Sequence, residues 1–271
     1  VNSFAVGYGT RAKGSYSVAM GSVSEATGNI SAAIGLNSKA SGNYSIAIGN
    51  NSEATSDLST AFGISAKATG YQSCVLGPSG ASGDYSFASG WGNIASGNYS
   101  FAIGRNNETS GGFSFSFGMQ NESSGGFSIS LGKDNVSSGS NSLAIGNNSI
   151  SRADYSTAIG YKTVSSSYKC VVVGSNNLSY SNWDSTQWVP SDPIFIVGNG
   201  SGVFGGSEPQ YSNAFIVRKD GNVGIGTSSP SYKLSVDGTI SVVNAGNSVQ
   251  WTTAYNWGNH ATAGYLNSSS S

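Results

Sequence analysis

The chain has 271 residues, of which 39 are glycine and only 9% are charged, and its formal net charge is -1. This composition predicts a surface of Ser, Asn, Thr and Gly, without the positive field that nucleic acid or an anionic membrane requires. Because no stretch approaches the roughly 18 apolar residues of a membrane helix, we expect no membrane insertion by this segment.

A five-residue phrase, Ser-x-Ala-x-Gly, recurs through the first two thirds of the chain. Successive closing glycines are fourteen residues apart, except that one step is thirteen. Self-similarity at a short fixed period predicts a stacked architecture, here a β-solenoid. Val1 already lies inside a repeat, so we expect the sequence to begin within a longer protein. The closing glycines are Gly7, Gly21, Gly35, Gly49, Gly63, Gly77, Gly90, Gly104, Gly118, Gly132, Gly146, Gly160 and Gly174.

Each phrase predicts a strand of about five residues whose side chains alternate between two faces. Ser, Ala and Gly share one face, and large apolar residues occupy the other. A turn, a second short strand and another turn complete the period, with Asn and Gly at corners that require a left-handed backbone. These corner residues are Asn37, Gly42, Asn51, Gly70, Gly97, Asn107, Gly111 and Gly125. Two short strands per turn leave room inside only for small side chains, so we predict that the Ser and Ala face is internal.

The large apolar residues would then form an exposed row over about 60 Å of the solenoid axis. A stripe of that size exceeds what a soluble monomer tolerates, which predicts a homo-oligomer, most simply a homotrimer. The alternative is a wider monomeric solenoid with these residues inside. The predicted trimer interface consists of Val18, Met20, Ile46, Ile48, Phe101, Ile103, Phe115, Phe117, Ile129 and Leu131.

Two further columns follow from the stacking. One has alternating charges that should pair between neighbouring rungs, namely Arg11, Glu25, Lys39, Glu53 and Lys67.

The other column is aromatic and precedes the Ser of the phrase. It consists of Tyr16, Tyr44, Tyr85, Tyr99, Phe113, Phe127 and Tyr155. Such a stripe could stack on sugars or grip a receptor, which makes Tyr44, Tyr85 and Tyr99 candidate receptor contacts. The pattern also places the column on the strand face of the apolar row, which favours packing or subunit contact.

The two cysteines, Cys74 and Cys170, occupy repeat positions seven rungs apart. Stacked strands lie about 4.8 Å apart, so the two sulfurs should be separated by roughly 34 Å and cannot form a disulfide within one chain. We interpret both as small buried residues.

Regularity ends after Gly174. The insertion Ser175–Pro193 predicts a loop or cap over the exposed edge of the last rung, and its Trp183 and Trp188 are further candidate receptor contacts. A strand follows at residues 193–198, then a Gly-rich turn and the stretch 213–226, and another strand at residues 233–236. The lone His260 has no carboxylate or cysteine partner in sequence, and Ser268–Ser271 are expected to be disordered. We divide the chain into residues 1–176, 177–240 and 241–271.

The repeats resemble the head repeats of YadA-like trimeric autotransporter adhesins. The resemblance rests on phrases such as Asn-Tyr-Ser-Ile-Ala-Ile-Gly at 43–49, Asn-Tyr-Ser-Phe-Ala-Ile-Gly at 98–104 and Asn-Ser-Leu-Ala-Ile-Gly at 141–146. It implies an all-β, left-handed parallel β-roll of 14-residue repeats, assembled as a homotrimer, with a short β-rich connector after it. It also implies attachment to host matrix proteins or cells. Residues 213–230 and 251–266 resemble segments of phage tail fibres.

The sequence therefore predicts an extracellular attachment fibre that binds a cell-surface protein, matrix protein or glycan. It would sit on a bacterial surface as an outer membrane-anchored fibre, or on a virion as a tail fibre for host recognition. A purely structural spacer is the other alternative. The acidic residues are scattered, so we expect no enzyme activity, no calcium site and no cofactor.

Overall fold

The computed structural model describes residues 2–201, 210–242 and 246–256. His260 and Ser268–Ser271 lie outside this part, as does most of the segment 251–266, and the expectations for them stay predictions. Within the described residues, the regular structure is β-strand apart from one helix, α1 (Ser248–Asn256).

Each repeat contributes one long strand and one strand of two residues. In chain order these are β1 (Phe4–Tyr8), β2 (Arg11–Ala12), β3 (Val18–Ser22), β4 (Glu25–Ala26), β5 (Ala32–Leu36), β6 (Lys39–Ala40), β7 (Ile46–Asn50), β8 (Glu53–Ala54), β9 (Thr60–Ile64), β10 (Lys67–Ala68), β11 (Cys74–Leu76), β12 (Gly80–Ala81), β13 (Phe87–Trp91), β14 (Ile94–Ala95), β15 (Phe101–Arg105), β16 (Glu108–Thr109), β17 (Phe115–Met119), β18 (Glu122–Ser123), β19 (Ile129–Lys133), β20 (Val136–Ser137), β21 (Leu143–Asn147), β22 (Ile150–Ser151), β23 (Thr157–Tyr161), β24 (Val164–Ser165) and β25 (Val171–Ser175). The long strands form one parallel sheet and the short strands a second. The predicted parallel β-solenoid is confirmed.

The interior between the two sheets is filled by small side chains, as predicted. Ala19 from a long strand and Ala26 from a short strand are fully buried, and the same holds along the solenoid. The Ser of the phrase also points inward, and its hydroxyl donates a hydrogen bond to the carbonyl three residues earlier. The distance from Ser17 Oγ to Gly14 O is 2.7 Å. Most buried hydroxyls of this kind are satisfied within their own turn, so polar serines can line a narrow core, although those of Ser100, Ser128 and Ser142 have no hydrogen-bond partner among the described residues.

Four consecutive rungs also place an asparagine inside, which the sequence analysis did not predict. Asn93, Asn107, Asn121 and Asn135 are all buried. Asn107 Nδ2 donates to Asn93 Oδ1 of the previous rung at 3.0 Å and to the carbonyl of Gly118 at 2.9 Å. The same amide ladder continues through the next two rungs. Because each amide is satisfied by its neighbours, the ladder tolerates burial. Asn107 lies in the turn between β15 and β16, as predicted, but the expected left-handed backbone was wrong, because the positive φ of this turn belongs to Asn106.

Each repeat turns through corners that hold a residue with positive φ. The prediction was right for Asn37 and Asn51, whose φ angles are 52° and 55°. It was wrong for the corner glycines, none of which has a positive φ: Gly42, Gly70, Gly97, Gly111 and Gly125. These glycines are required by close approach instead. A Cβ on Gly97 would lie 2.1 Å from the carbonyl oxygen of Gly111 in the next rung.

The closing glycines of the phrase meet both restrictions. Their φ angles lie between 93° and 140°, a range that side chains rarely adopt. A Cβ on Gly104 would lie 2.0 Å from the carbonyl oxygen of Gly118. The glycine is thus the point where the long strand leaves the regular alternation, and it does not extend the small inner face as the sequence analysis supposed.

The thirteen-residue repeat is accommodated at one corner. There β11 is shortened, and the N–H of Ser79 bonds directly to the carbonyl of Gly77 at 2.8 Å. The register on both sides is kept, because Cys74 still lies opposite Thr60 and Phe87, although β11 pairs only three residues with each neighbour. The missing residue is removed from a turn and not from a strand.

The sheet continues beyond the repeats through β26 (Pro193–Asn199), which pairs in parallel with β25. It is followed by β27 (Asn213–Arg218), β28 (Val223–Ile225), β29 (Leu234–Val236), β30 (Ser241–Val242) and β31 (Gly246–Asn247). The edge of β25 is therefore covered by a strand, and the prediction that the insertion covers it was wrong. The insertion instead lies along the corners of the last rungs, where Ser185 O accepts the N–H of Asp154 at 2.9 Å.

Candidate functional site

The outer face of the long-strand sheet carries two parallel rows of large side chains. In β15 and β17, Phe101 lies opposite Phe115 and Ile103 opposite Phe117. None of the ten residues predicted for the trimer interface is buried by its own chain, and Phe117 is 53% exposed. The alternative of a wider solenoid with these residues inside is wrong, because Ala, Ser and Asn already fill the core. Whether other chains cover the rows stays a prediction at this point.

The aromatic column does not lie on that face. Its residues occupy the corner before each long strand and have a left-handed backbone, with φ of 58° at both Tyr44 and Tyr99. The sequence analysis placed the column on the strand face of the apolar row, and this was wrong. The alternation of side chains between two faces cannot be extrapolated from a strand through a residue with a left-handed backbone, because such a residue changes the direction of the chain.

Four of these corner rings form a continuous stack along the solenoid. The ring centroids of Tyr85 and Tyr99 are 4.7 Å apart, and the two planes differ by 3°. Phe113 and Phe127 continue the stack at spacings of 4.7 and 4.9 Å. The spacing equals the rise between parallel strands, so the backbone imposes it. Stacking offsets part of the roughly 1–2 kcal/mol that a left-handed conformation costs each non-glycine residue.

The stack limits what these rings can bind. The faces of Tyr99 and Phe113 are occupied by their neighbours, so only ring edges and the Tyr99 hydroxyl remain for a ligand. Tyr44, by contrast, has Ile30 and Leu58 as its column neighbours and is 56% exposed. The three candidate tyrosines are thus all exposed, but a sugar can lie flat only on a ring without stacked neighbours.

The two tryptophans of the insertion have different environments. Trp183 is partly buried against the cluster of Cys170, Val172, Ile196 and Ile216, so only part of its ring can meet a ligand. Trp188 is about half exposed. The insertion is held in shape by Asp184, whose carboxylate accepts the N–H groups of Thr186 and Gln187 at 2.8 Å, and these bonds lower its pKa.

Beside Trp188, two lysines alternate with aromatic rings. Lys219 Nζ lies 5.3 Å from the ring centroid of Trp188 and 5.8 Å from that of Tyr168. Lys169 Nζ lies 5.1 Å from the centroid of the same Tyr168 ring and 5.6 Å from that of Tyr155. Partial burial lowers the pKa of Lys219, whose ammonium group also donates to Ser167 Oγ at 2.9 Å. The sequence analysis named Tyr155 and Trp188 separately but did not find this cluster, because Tyr168, Lys169 and Lys219 were in none of its columns or candidate contacts.

The charged column pairs as predicted, with Arg11 opposite Glu25 and Lys67 opposite Glu53. The Lys67–Glu53 ion pair measures 4.0 Å, whereas Glu25 forms its short contact, 2.6 Å, with Lys13. Both cysteines are free; burial raises the pKa of Cys170 to about 12, and Cys74 is only half-buried.

A cavity that sequence reasoning also missed lies between the insertion and the strands after it. Its lining includes Tyr180, Trp183, Asp192 and Arg218.

Within residues 2–201, 210–242 and 246–256, no group of three or more His, Cys, Asp or Glu residues could hold a metal ion. No helix in the same ranges has the length and apolar content to span a membrane.

A family comparison identifies the repeats. The model of the YadA head domain repeat matches residues 1–24, 26–52, 54–78, 81–107, 123–149 and 137–163. These ranges cover most of the solenoid and more than half of the chain. A search of curated proteins found no match. Members of the family are surface-exposed adhesins, and the family implies a homotrimer; the suspected likeness of residues 213–266 to tail fibres is not supported. Repeat phrase, solenoid architecture and family match agree, and the chain belongs to the YadA head domain repeat family.

Proposed function

We propose that three copies of this chain pack through the apolar outer face of the long-strand sheet and form the head of an extracellular attachment fibre. The observation that carries the proposal is the exposure of two rows of mostly large apolar side chains beside a core that is already full. A folded single chain would leave these rows in water along the whole solenoid.

The expected stabilisation is large compared with single surface contacts. Phe117 is 53% exposed, and a phenylalanine presents about 200 Å² of surface, so a partner would bury about 100 Å². At roughly 25 cal/mol per Å², this corresponds to about 2.5 kcal/mol per chain and about 7.5 kcal/mol per trimer. The ten predicted interface residues together therefore favour a stable assembly.

Attachment would use the surfaces that remain outside the trimer. The exposed Tyr44, the edges of Tyr85 and Tyr99, and the insertion with Trp183 and Trp188 are the candidate contacts for a cell-surface protein, matrix protein or glycan. Three equivalent copies on one fibre raise avidity without strong single contacts. The proposed location is a bacterial cell surface. This function needs no catalytic residue and no cofactor.

Light scattering of the purified wild type and of two single-substitution variants tests the assembly. The wild type should have three times the chain mass of 27.5 kDa. Phe117→Glu places three charges in the proposed interface and should give a monomer. Ile94→Glu is the matched control, because Ile94 is 48% exposed on the short-strand sheet, where its neighbour Glu108 already occupies the same column. A monomeric wild type, or a Phe117→Glu variant that remains trimeric, would refute the proposed interface.

A further inference from the structure

The cavity beyond the repeats has no role in the apolar packing proposed above. It has a volume of about 290 Å³ and lies between the insertion and the loop after β28. Tyr180 and Trp183 supply two aromatic rings in an edge-to-face pair, with centroids 5.2 Å apart. Most other lining residues are polar or charged, including Asn182, Asp192 and Arg218. A cavity that combines rings with polar groups is suited to a polar ligand that has a non-polar face.

The walls of this cavity are held in place before any ligand binds. Asn213 is buried and joins the two sides: its Oδ1 accepts the N–H of Leu178 at 3.0 Å, and its Nδ2 donates to Ser228 Oγ at 3.1 Å. Trp183 packs on the apolar cluster at the end of the solenoid. Rigid walls lower the ordering cost of binding.

Arg218 and Asp192 supply charged groups with fixed orientation. Arg218 Nη2 forms a 2.9 Å ion pair with Asp220, and Nη1 donates to the carbonyl of Pro230 at 3.1 Å. Its Nε is buried and has no hydrogen-bond partner among the described residues. Asp192 is buried and accepts the N–H of Asp184 at 2.8 Å. The ion pair and the hydrogen bonds hold both side chains in place before a ligand arrives, which lowers the ordering cost of binding.

A second cavity adjoins the first across Tyr180. It has a volume of about 410 Å³ and is lined by Arg152, Val164, Tyr211 and residues 177–181. Tyr180 borders both cavities and is 41% exposed, so its ring forms the ridge between them. Two neighbouring cavities with an aromatic ridge match a ligand of linked units better than a single compact molecule.

We propose that these two cavities bind a short oligosaccharide. The C–H face of a sugar packs on aromatic rings, while its hydroxyl groups exchange hydrogen bonds with guanidinium, carboxylate and amide groups. The first cavity offers both kinds of group, and it lacks the aliphatic lining that the side chains of an apolar peptide would require. An oligosaccharide would be the receptor class for the proposed attachment function, and this assignment of a biological role rests on that function.

The test uses the full chain on an array of immobilised lactose, N-acetyllactosamine, chitotriose, maltotriose and sialyllactose. At least one glycan should bind to the wild type. Tyr180→Ala removes the ridge, and Ser229→Phe fills the first cavity from an exposed lining position; each should weaken that binding about tenfold or more. Tyr161→Ala is the matched control, because it removes a tyrosine of similar exposure, 40% against 41%, that lines neither cavity, and it should leave this binding unchanged. Tyr44→Ala tests the corner column as the alternative site.

Absence of binding to every glycan would overturn the proposal, as would unchanged binding in both cavity variants. Loss of binding in Tyr44→Ala but not in Tyr180→Ala would place the glycan on the corner column and would also overturn it. The solution mass of each variant is measured in parallel, which confirms folding. A monomeric chain that still binds glycan through Tyr180 would refute the trimer and leave the glycan site standing.

Discussion

Replacement of one closing glycine by alanine should unfold part of the solenoid, whereas replacement of a glycine eight residues later should not. Gly104 has a φ of 122°, and a Cβ there would lie 2.0 Å from the carbonyl oxygen of Gly118. The conformation alone costs about 1–3 kcal/mol for a residue with a side chain. Moving the Gly118 carbonyl weakens inter-strand hydrogen bonds worth about 1 kcal/mol each. We expect Gly104→Ala to lower the free energy of unfolding by about 3–5 kcal/mol.

Gly112→Ala is the matched control. Its φ is not in the left-handed region, and the nearest atom to an added Cβ is Asn98 O, 3.8 Å away. Alanine should therefore be accepted, with a change within about 1 kcal/mol on the stabilising side, because it restricts the unfolded chain. Urea unfolding followed by circular dichroism at one protein concentration measures both variants. Equal destabilisation by the two substitutions would show that close approach and φ do not explain the closing glycines.

Three further outcomes are expected. Tyr99→Ala removes two stacking contacts and should lower the free energy of unfolding by about 1–3 kcal/mol in urea titrations; an unchanged midpoint would mean that the stack contributes nothing. Cys74 lies on the apolar outer face, so iodoacetamide at pH 8 should label it only after the trimer dissociates. Burial raises the pKa of the Cys170 thiol to about 12, so Cys170 should react only after unfolding, and rapid labelling of Cys170 in the folded protein would contradict this. The hydrogen bond from Lys13 lowers the pKa of Glu25 below its ordinary 4.5, so the stabilisation is complete above pH 4.5 and is lost as the pH falls through the lowered pKa. The difference in unfolding free energy between wild type and Lys13→Met, within about 1 kcal/mol at pH 7, should therefore shrink as the pH falls below 4.5, and a difference that stays constant there would exclude the ion pair as its source.

The sequence predicts the repeat well because each side-chain requirement recurs at the same phase. The period, the small interior and the outward apolar rows all follow from Ser, Ala and Gly in fixed positions. The corners could not be predicted from residue preference. Tyrosine and phenylalanine rarely adopt positive φ, yet the stacked backbone holds Tyr85, Tyr99 and Phe113 there, because the rungs on either side determine the path of the corner.

A shift of one residue at a corner changes the environment completely. Asn106 has a φ of 52° and lies outside, whereas Asn107 is buried in the amide ladder. The two asparagines are adjacent and identical in type, so only the stacked structure separates their roles. The recurrence of Asn three residues after the glycine in four successive repeats was the signal available in the sequence. The cavity around Arg218 offers no such signal, since its walls come from non-periodic segments far apart in the chain.

The corner that accommodates the thirteen-residue repeat has a consequence for how this molecule changes during evolution. A rung contacts only the rung before and the rung after it, and a lost residue is taken up in a turn while both strands keep their partners. Duplication or deletion of a whole repeat therefore joins surfaces that already fit each other, and it lengthens or shortens the head by about 4.8 Å without requiring a new core. The distance between the first rung and the insertion can thus be adjusted in steps of one strand.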